Sequence, residues 1–280
     1  MNALVPDNAI VNGFRIAHGT HGSGEPVVLI HGTPSSSYIW RNVIPGLVDA
    51  GYQVQVFDLL GYGASERPKD GDVDTSVTGQ VGVLLGLLDA WSLRDAHVVA
   101  HDIGGGVAQR LSVFYPARVR SLTLIDSVSF DSWPSERTRQ QMTDGLDALI
   151  SANPADHRAR FEGWLLSTVQ NTERFRRDAL AVYLDLITGS VGQASFFQHQ
   201  MSRYDPVHTM EVAGRLSELA RIPVQILWGA DDQWQNVAWA HRLHEAIPGS
   251  TLSIIMNCGH FVMEDQPEAV TSAVLTFLKR

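Results

Sequence analysis

The chain has 280 residues and a formal net charge of −9, enough for one large core or a core with a subdomain. The acidic balance, without a long run of either sign, argues against nucleic acid and anionic membrane surfaces as partners. Cys258 is the only cysteine, which excludes an intrachain disulfide framework and leaves the redox compartment open.

Met1–Ile10 lacks the basic-then-apolar layout of a signal peptide. No run reaches the roughly 18 apolar residues of a membrane span, so a cytoplasmic protein is expected. Asn12-Gly13 is a hairpin signal between Ala9–Val11 and Phe14–Ala17. Pro26–Ile30 reads as a buried strand, followed by the loop His31–Ser37 and an amphipathic stretch ending at Ala50-Gly51. Gln53–Leu59 is the next strand, then the loop Gly61-Tyr62-Gly63-Ala64-Ser65 and a helical spacing over Val77–Trp91. Ala96–Ala100 is a short apolar strand, Val107–Phe114 a helix and Val119–Ile125 a strand. From Asp131 to Leu219 the pattern turns helical throughout. Strand and helix then alternate again: Val224–Trp228, Val237–Ala246, Leu252–Met256 and Pro267–Leu278. This rhythm predicts an α/β fold with a mostly parallel sheet covered on both faces. It divides the chain into a core of residues 1–130 and 220–280 and a helical cap of residues 131–219, placed over the strand ends where such sheets bind ligands.

The segment Ala100-His101-Asp102-Ile103-Gly104-Gly105 joins strand to helix in the pattern small-x-nucleophile-x-Gly. Small residues suit such a turn because strand and helix pass too close for larger side chains. Aspartate holds the position that serine often fills. A carboxylate is already anionic at neutral pH and needs no base to attack. On an acyl carbon it would give a reactive anhydride, and on a saturated carbon an ordinary ester, so alkyl carbons bearing a halide or an epoxide oxygen are the expected targets. An Asp before a helix is also a common N-cap, and it is the partners of Asp102 that favour the chemical role.

His260, after the last strand in Asn257-Cys258-Gly259-His260-Phe261, is placed to activate the water that hydrolyses the ester. Two acids compete to orient it: Asp232 after the penultimate strand, which is favoured, and Asp126 after the strand that follows the elbow. The backbone N–H groups of Thr33, in His31-Gly32-Thr33-Pro34, and of Ile103 are expected to form an oxyanion hole. Cys258, with no elbow around it, reads as a loop or strand-end residue. Gly104-Gly105-Gly106 lacks the Gly-Lys-Ser/Thr of a phosphate loop. No metal or cofactor motif is present. Trp133, Trp164, Tyr183, Phe196, Phe197 and Tyr204 are expected to be core or pocket lining, with one or two aiming donors at a leaving group.

These features together resemble the α/β-hydrolase superfamily over essentially the whole chain, and the aspartate elbow is similar to the branch of haloalkane dehalogenases, haloacetate dehalogenases and epoxide hydrolases. His31 to Asn42 resembles the dehalogenase oxyanion loop, and the resemblance implies a haloalkane dehalogenase-like enzyme with an Asp-His-Asp triad, an epoxide hydrolase being the alternative. Departures accompany the match. The halide-binding Trp and Asn of dehalogenases correspond to Ile103 and Thr33 here, which leaves a cap tryptophan such as Trp164 to supply an N–H. Nor do Ile103 and Gly106 offer the arginines with which fluoroacetate dehalogenases hold a carboxylate. The segment Gly189 to Phe197 is similar to the one carrying the second tyrosine of epoxide hydrolases, yet Phe197 has no hydroxyl, so Tyr183 or Tyr204 would have to protonate the opening oxygen. An esterase or lactonase using Asp102 as base and a non-catalytic ligand receptor are further alternatives. The expected partners are a small, largely apolar substrate and water, with oligomeric state open.

Overall fold

The computed structural model describes residues 3–279. Eight strands form one sheet: β1 (Asp7–Val11), β2 (Phe14–His21), β3 (Glu25–Ile30), β4 (Tyr52–Phe57), β5 (Ala96–His101), β6 (Val119–Ile125), β7 (Val224–Gly229) and β8 (Thr251–Ile255). Their order across the sheet is β1-β2-β4-β3-β5-β6-β7-β8. The hairpin is made by Asn12 and Gly13 at φ of 52° and 86°, the left-handed pair that a two-residue turn requires. β2 also pairs antiparallel with β4, and every later pairing is parallel.

Parallel strands need covering on both faces, and the apolar content of the chain is spent there. All six residues of β5 and of β7 are buried, and so are Val27–Ile30 of β3. β8, at the far edge, is only half-buried. Because β3, β5, β6, β7 and β8 all point the same way, the loops carrying Thr33, Asp102, Asp126, Asp232 and His260 emerge along one edge of the sheet. Between β6 and β7 the chain is helical without a strand, from Glu136–Asp144 to Val207–Ala213. Among the described residues no single helix is long and apolar enough to cross a membrane.

One boundary differs from the sequence expectation. The helix after β5 runs Ile103–Phe114 and so begins four residues earlier than its apolar spacing suggests. Three glycines make a poor helix start by propensity, but tertiary contact demands two of them. A Cβ on Gly104 would lie 2.5 Å from the His31 carbonyl oxygen, and one on Gly105 only 1.9 Å from Ser127 Oγ.

Candidate active site

Asp102 sits between β5 and this helix at φ 52°, ψ −122°, a conformation costly for a residue with a side chain. It is held from both sides. Its N–H donates to the Ile125 carbonyl (3.2 Å), while its own carbonyl accepts from Gly105 N (2.9 Å) and Val128 N (3.2 Å). The turn lifts the carboxylate above the strand end, where Oδ1 accepts from Thr33 N at 2.8 Å. Gly32 allows this approach, since a Cβ there would come within 2.4 Å of Asp102 Cβ and Oδ1. Ile103 is the first residue of the helix, so its N–H has no intrahelical acceptor and joins Thr33 N–H at the positive end of the helix dipole.

On the other side of the carboxylate lies His260, fully buried, with Nε2 3.5 Å from Asp102 Oδ2. Its Nδ1 is 2.8 Å from Asp232 Oδ2. Asp232 is itself fixed, its Oδ1 accepting from Trp234 N (2.7 Å) and Gln235 N (2.9 Å). Burial disfavours a charged imidazole, but the Asp232 and Asp102 carboxylates outweigh it and raise the His260 pKa well above the usual value. Burial likewise opposes ionisation of Asp102, yet the facing His260 and the Thr33 N–H hold its pKa below the ordinary carboxylate range. The resting site is therefore an Asp102 carboxylate against a His260 imidazolium.

Asp126 does not reach His260 by a hydrogen bond. Its Oδ1 accepts from Gly229 N at 2.8 Å, and its carboxyl lies within hydrogen-bonding reach of Asp232. Complete burial and the nearby Asp232 charge push its pKa well up, which favours the neutral acid.

A cavity of about 300 Å³ opens over Asp102, with Thr33, Trp133, Trp164, Tyr204 and Trp234 among its walls. The Tyr204 hydroxyl is in a short hydrogen bond with Thr33 Oγ1, the side chain of the residue whose N–H holds Asp102. Burial, with the Asp102 charge, raises the Tyr204 pKa despite its hydrogen bonds to Thr33 and Tyr62, so the phenol keeps its proton. Tyr183 lies elsewhere: its hydroxyl donates to Glu264 Oε1 at 2.6 Å beneath Tyr38, Phe175 and Phe261. Phe197 lines a neighbouring cavity and packs on His157, Phe161 and Phe196. Trp133 spends its indole N–H on Thr209 Oγ1 (2.9 Å). Burial pushes the Cys258 thiol up to about 12, which leaves it protonated and inert.

Three neighbours were not singled out by sequence reasoning. Trp234 stacks on the His260 ring (5.3 Å, 21°) and on Trp164 (4.7 Å, 24°), and its indole N–H donates to Ser167 Oγ at 3.0 Å. His101, immediately before Asp102, donates from Nε2 to the His260 carbonyl at 3.0 Å. Burial, aided by the His260 charge, lowers the His101 pKa to about 3, so it braces the histidine loop as a neutral ring. Tyr62 lies buried against Thr33 and Tyr204; its Gly61-Tyr62-Gly63 setting was the available signal. Among the described residues no group of three or more His, Cys, Asp or Glu is arranged to hold a metal ion.

A sheet of this topology with its polar residues gathered on the strand ends is an α/β hydrolase, and the chain belongs to the alpha/beta hydrolase fold family, whose model matches residues 25–267. It is 30% identical to a soluble epoxide hydrolase of Corynebacterium sp., over 96% of this chain and 95% of that one. It is 24% identical to a cis-3-alkyl-4-alkyloxetan-2-one decarboxylase of Shewanella oneidensis, over 95% and 86% of the two chains. Among solved structures, an alpha/beta hydrolase fold protein from Burkholderia ambifaria superposes with a TM-score of 0.86 at 32% identity, covering 97% of each chain.

Proposed function

We propose that the protein hydrolyses epoxides through a covalent ester on Asp102. The observation that carries this reading is the Tyr204 hydroxyl, seated on Thr33 in the cavity that Asp102 lines. An epoxide opened by carboxylate attack leaves an alkoxide on the same molecule, and that oxygen needs a proton. A buried phenol that stays protonated beside the nucleophile meets the need, because an aliphatic alkoxide is the stronger base. The names of two relatives are consistent with ring chemistry: an epoxide and an oxetan-2-one are both strained oxygen rings.

The steps balance. An Asp102 oxygen attacks a ring carbon, the carbon–oxygen bond breaks, and Tyr204 protonates the alkoxide. Forming the ester removes the Asp102 charge, and with it one of the two carboxylates that hold the proton on His260; the imidazolium gives up that proton, which neutralises the Tyr204 phenolate. The imidazole then serves as base towards water, which attacks the ester carbonyl while the Thr33 and Ile103 N–H groups receive the oxyanion. Collapse releases the diol, whose oxygen takes a proton from the imidazolium, and the second water proton returns to His260 as the Asp102 carboxylate is regenerated. Trp234 stacked on His260, with Asp232 on Nδ1, keeps the ring in place through the charge changes.

A dehalogenase reading rests on Trp164, which lines the same cavity. A halide there would lack the paired side-chain donors expected of that branch, since Ile103 and Thr33 occupy those positions and the Trp133 N–H is engaged. Each missing donor costs about 3 kcal/mol of barrier, so the epoxide is favoured. The test is intact-protein mass spectrometry of His260→Gln incubated with epoxides and haloalkanes. Without its base the protein should stall as the ester. An adduct of the full substrate mass on Asp102 supports epoxide opening, a bare alkyl adduct means halide displacement, and no adduct from either class removes the reading.

A further inference from the structure

The cavity over Asp102 has Trp164 in its wall. A second cavity of about 440 Å³ lies beside it, walled by the helices Glu136–Asp144 and Pro154–Leu166, and the two share Ser135, Thr138, Trp164 and Ser167. The inner wall of this second cavity is apolar, made by Phe161, Phe196 and Phe197 packed edge to face, with buried Met201 beside them. Its outer wall carries the exposed Arg137 and Arg160, and no carboxylate lines it.

Charge makes this arrangement unusual within the molecule. The chain has 30 acidic and 21 basic residues, and the neighbouring arginines are engaged. Arg158, Arg176 and Arg177 pair with Asp185, Glu162 and Asp178, while Arg139 and Arg174 donate to backbone carbonyls. In that group only the Arg137 and Arg160 side chains make no hydrogen bond or ion pair with a described residue. Two unneutralised guanidinium groups above an apolar chamber match one ligand chemistry, a hydrocarbon chain ending in a carboxylate. Guanidinium is suited to that end because its planar donors fit both carboxylate oxygens.

We propose that this second cavity selects substrates whose apolar chain ends in a carboxylate: Arg137 and Arg160 receive the carboxylate, the phenylalanines bed the chain, and the reactive ring reaches Asp102 past Trp164. The inference names the substrate class for the epoxide reading and rests on it for the reactive end alone.

The experiment separates the two. Decanoate and decan-1-ol, neither bearing a ring, are titrated calorimetrically into the wild-type protein, the Arg137→Ala/Arg160→Ala variant and the Arg137→Lys/Arg160→Lys variant. Thermal unfolding checks that each variant is folded. Decanoate should bind the wild type roughly tenfold tighter than the alcohol, as two exposed charge pairs supply. Salt should erode that preference, the alanine variant should lose it, and the lysine variant should keep part of it. Equal affinities, no binding of either probe, or a preference that survives the alanine variant overturns the proposal. A carboxylate preference without ring opening by the wild type would uphold the site while removing the epoxide chemistry.

Discussion

Tyr204→Phe tests the proton donor directly, and the structure sets both sides of the ledger. Removing the hydroxyl takes its hydrogen bonds with Thr33 Oγ1, which retains Gln200 Oε1 at 3.4 Å, and with Tyr62. The folding cost is that of two buried hydrogen bonds, about 2 kcal/mol. The ring itself remains, packed edge-on to Trp133 at 5.8 Å, so the cavity keeps its shape. The chemical cost is larger. A positioned general acid contributes roughly 10²- to 10⁴-fold, or about 3–5 kcal/mol of barrier. The assay is single-turnover labelling of Asp102 in the His260→Gln background, followed by intact mass. Labelling by an epoxide should slow roughly 100-fold or more. Any labelling by an iodoalkane, whose leaving group takes no proton, should keep its rate. An epoxide labelling rate equal to that of the Tyr204 parent would refute the donor role. A fall in melting temperature worth several kcal/mol would instead make Tyr204 a structural residue.

The two acids should separate cleanly. Asp232→Asn should slow ester hydrolysis roughly 10³-fold or more and let the ester accumulate by mass, whereas Asp126→Asn, at a carboxyl whose pKa is pushed well up and which makes no hydrogen bond to His260, should stay within about threefold of wild type. Ester hydrolysis needs a neutral His260, whose pKa is raised, so stopped-flow rates of that step should fall as pH drops through it. Labelling of Asp102, whose pKa is lowered, should persist to more acid pH; the opposite order would contradict the assigned roles. The same shifts bear on stability: the His260 contribution is complete below its unfolded-state pKa of about 6.5 and is lost as pH rises through the raised folded value, which an alkaline series of melting curves should reveal. Gly32→Ala places a Cβ 2.4 Å from the Asp102 carboxylate. It should cost about 1–3 kcal/mol by overpacking and abolish labelling, read by thermal melts and mass.

The fold was legible in the sequence because it rests on local signals. The Asn12-Gly13 turn, the largely apolar runs of β5 and β7 and the alternation with helices are each properties of a short window. The elbow was legible for the same reason, since the close approach that forces Gly104 and Gly105 is written into adjacent residues. Chain order alone also named Asp102 and His260 as a pair, because parallel strands deliver their following loops to one edge of the sheet. What it left open were choices between residues equally near in sequence pattern. Asp232 and Asp126 both follow a parallel strand. The difference is that Asp232 Oδ2 meets His260 Nδ1 while Asp126 turns to Gly229 N, at a φ of 41°. Tyr183 and Tyr204 are both buried tyrosines of the helical segment, and only packing sends one hydroxyl to Glu264 and the other to Thr33. Trp234 and His101 gain their places from side chains 26 and 159 residues distant, in the stack on His260 and the bond to its carbonyl. Local conformational preference and hydrophobic period are encoded along the chain. The partners of a side chain, and through them its charge and its role, depend on which distant groups share its low-dielectric surroundings, and that was decided by the tertiary structure.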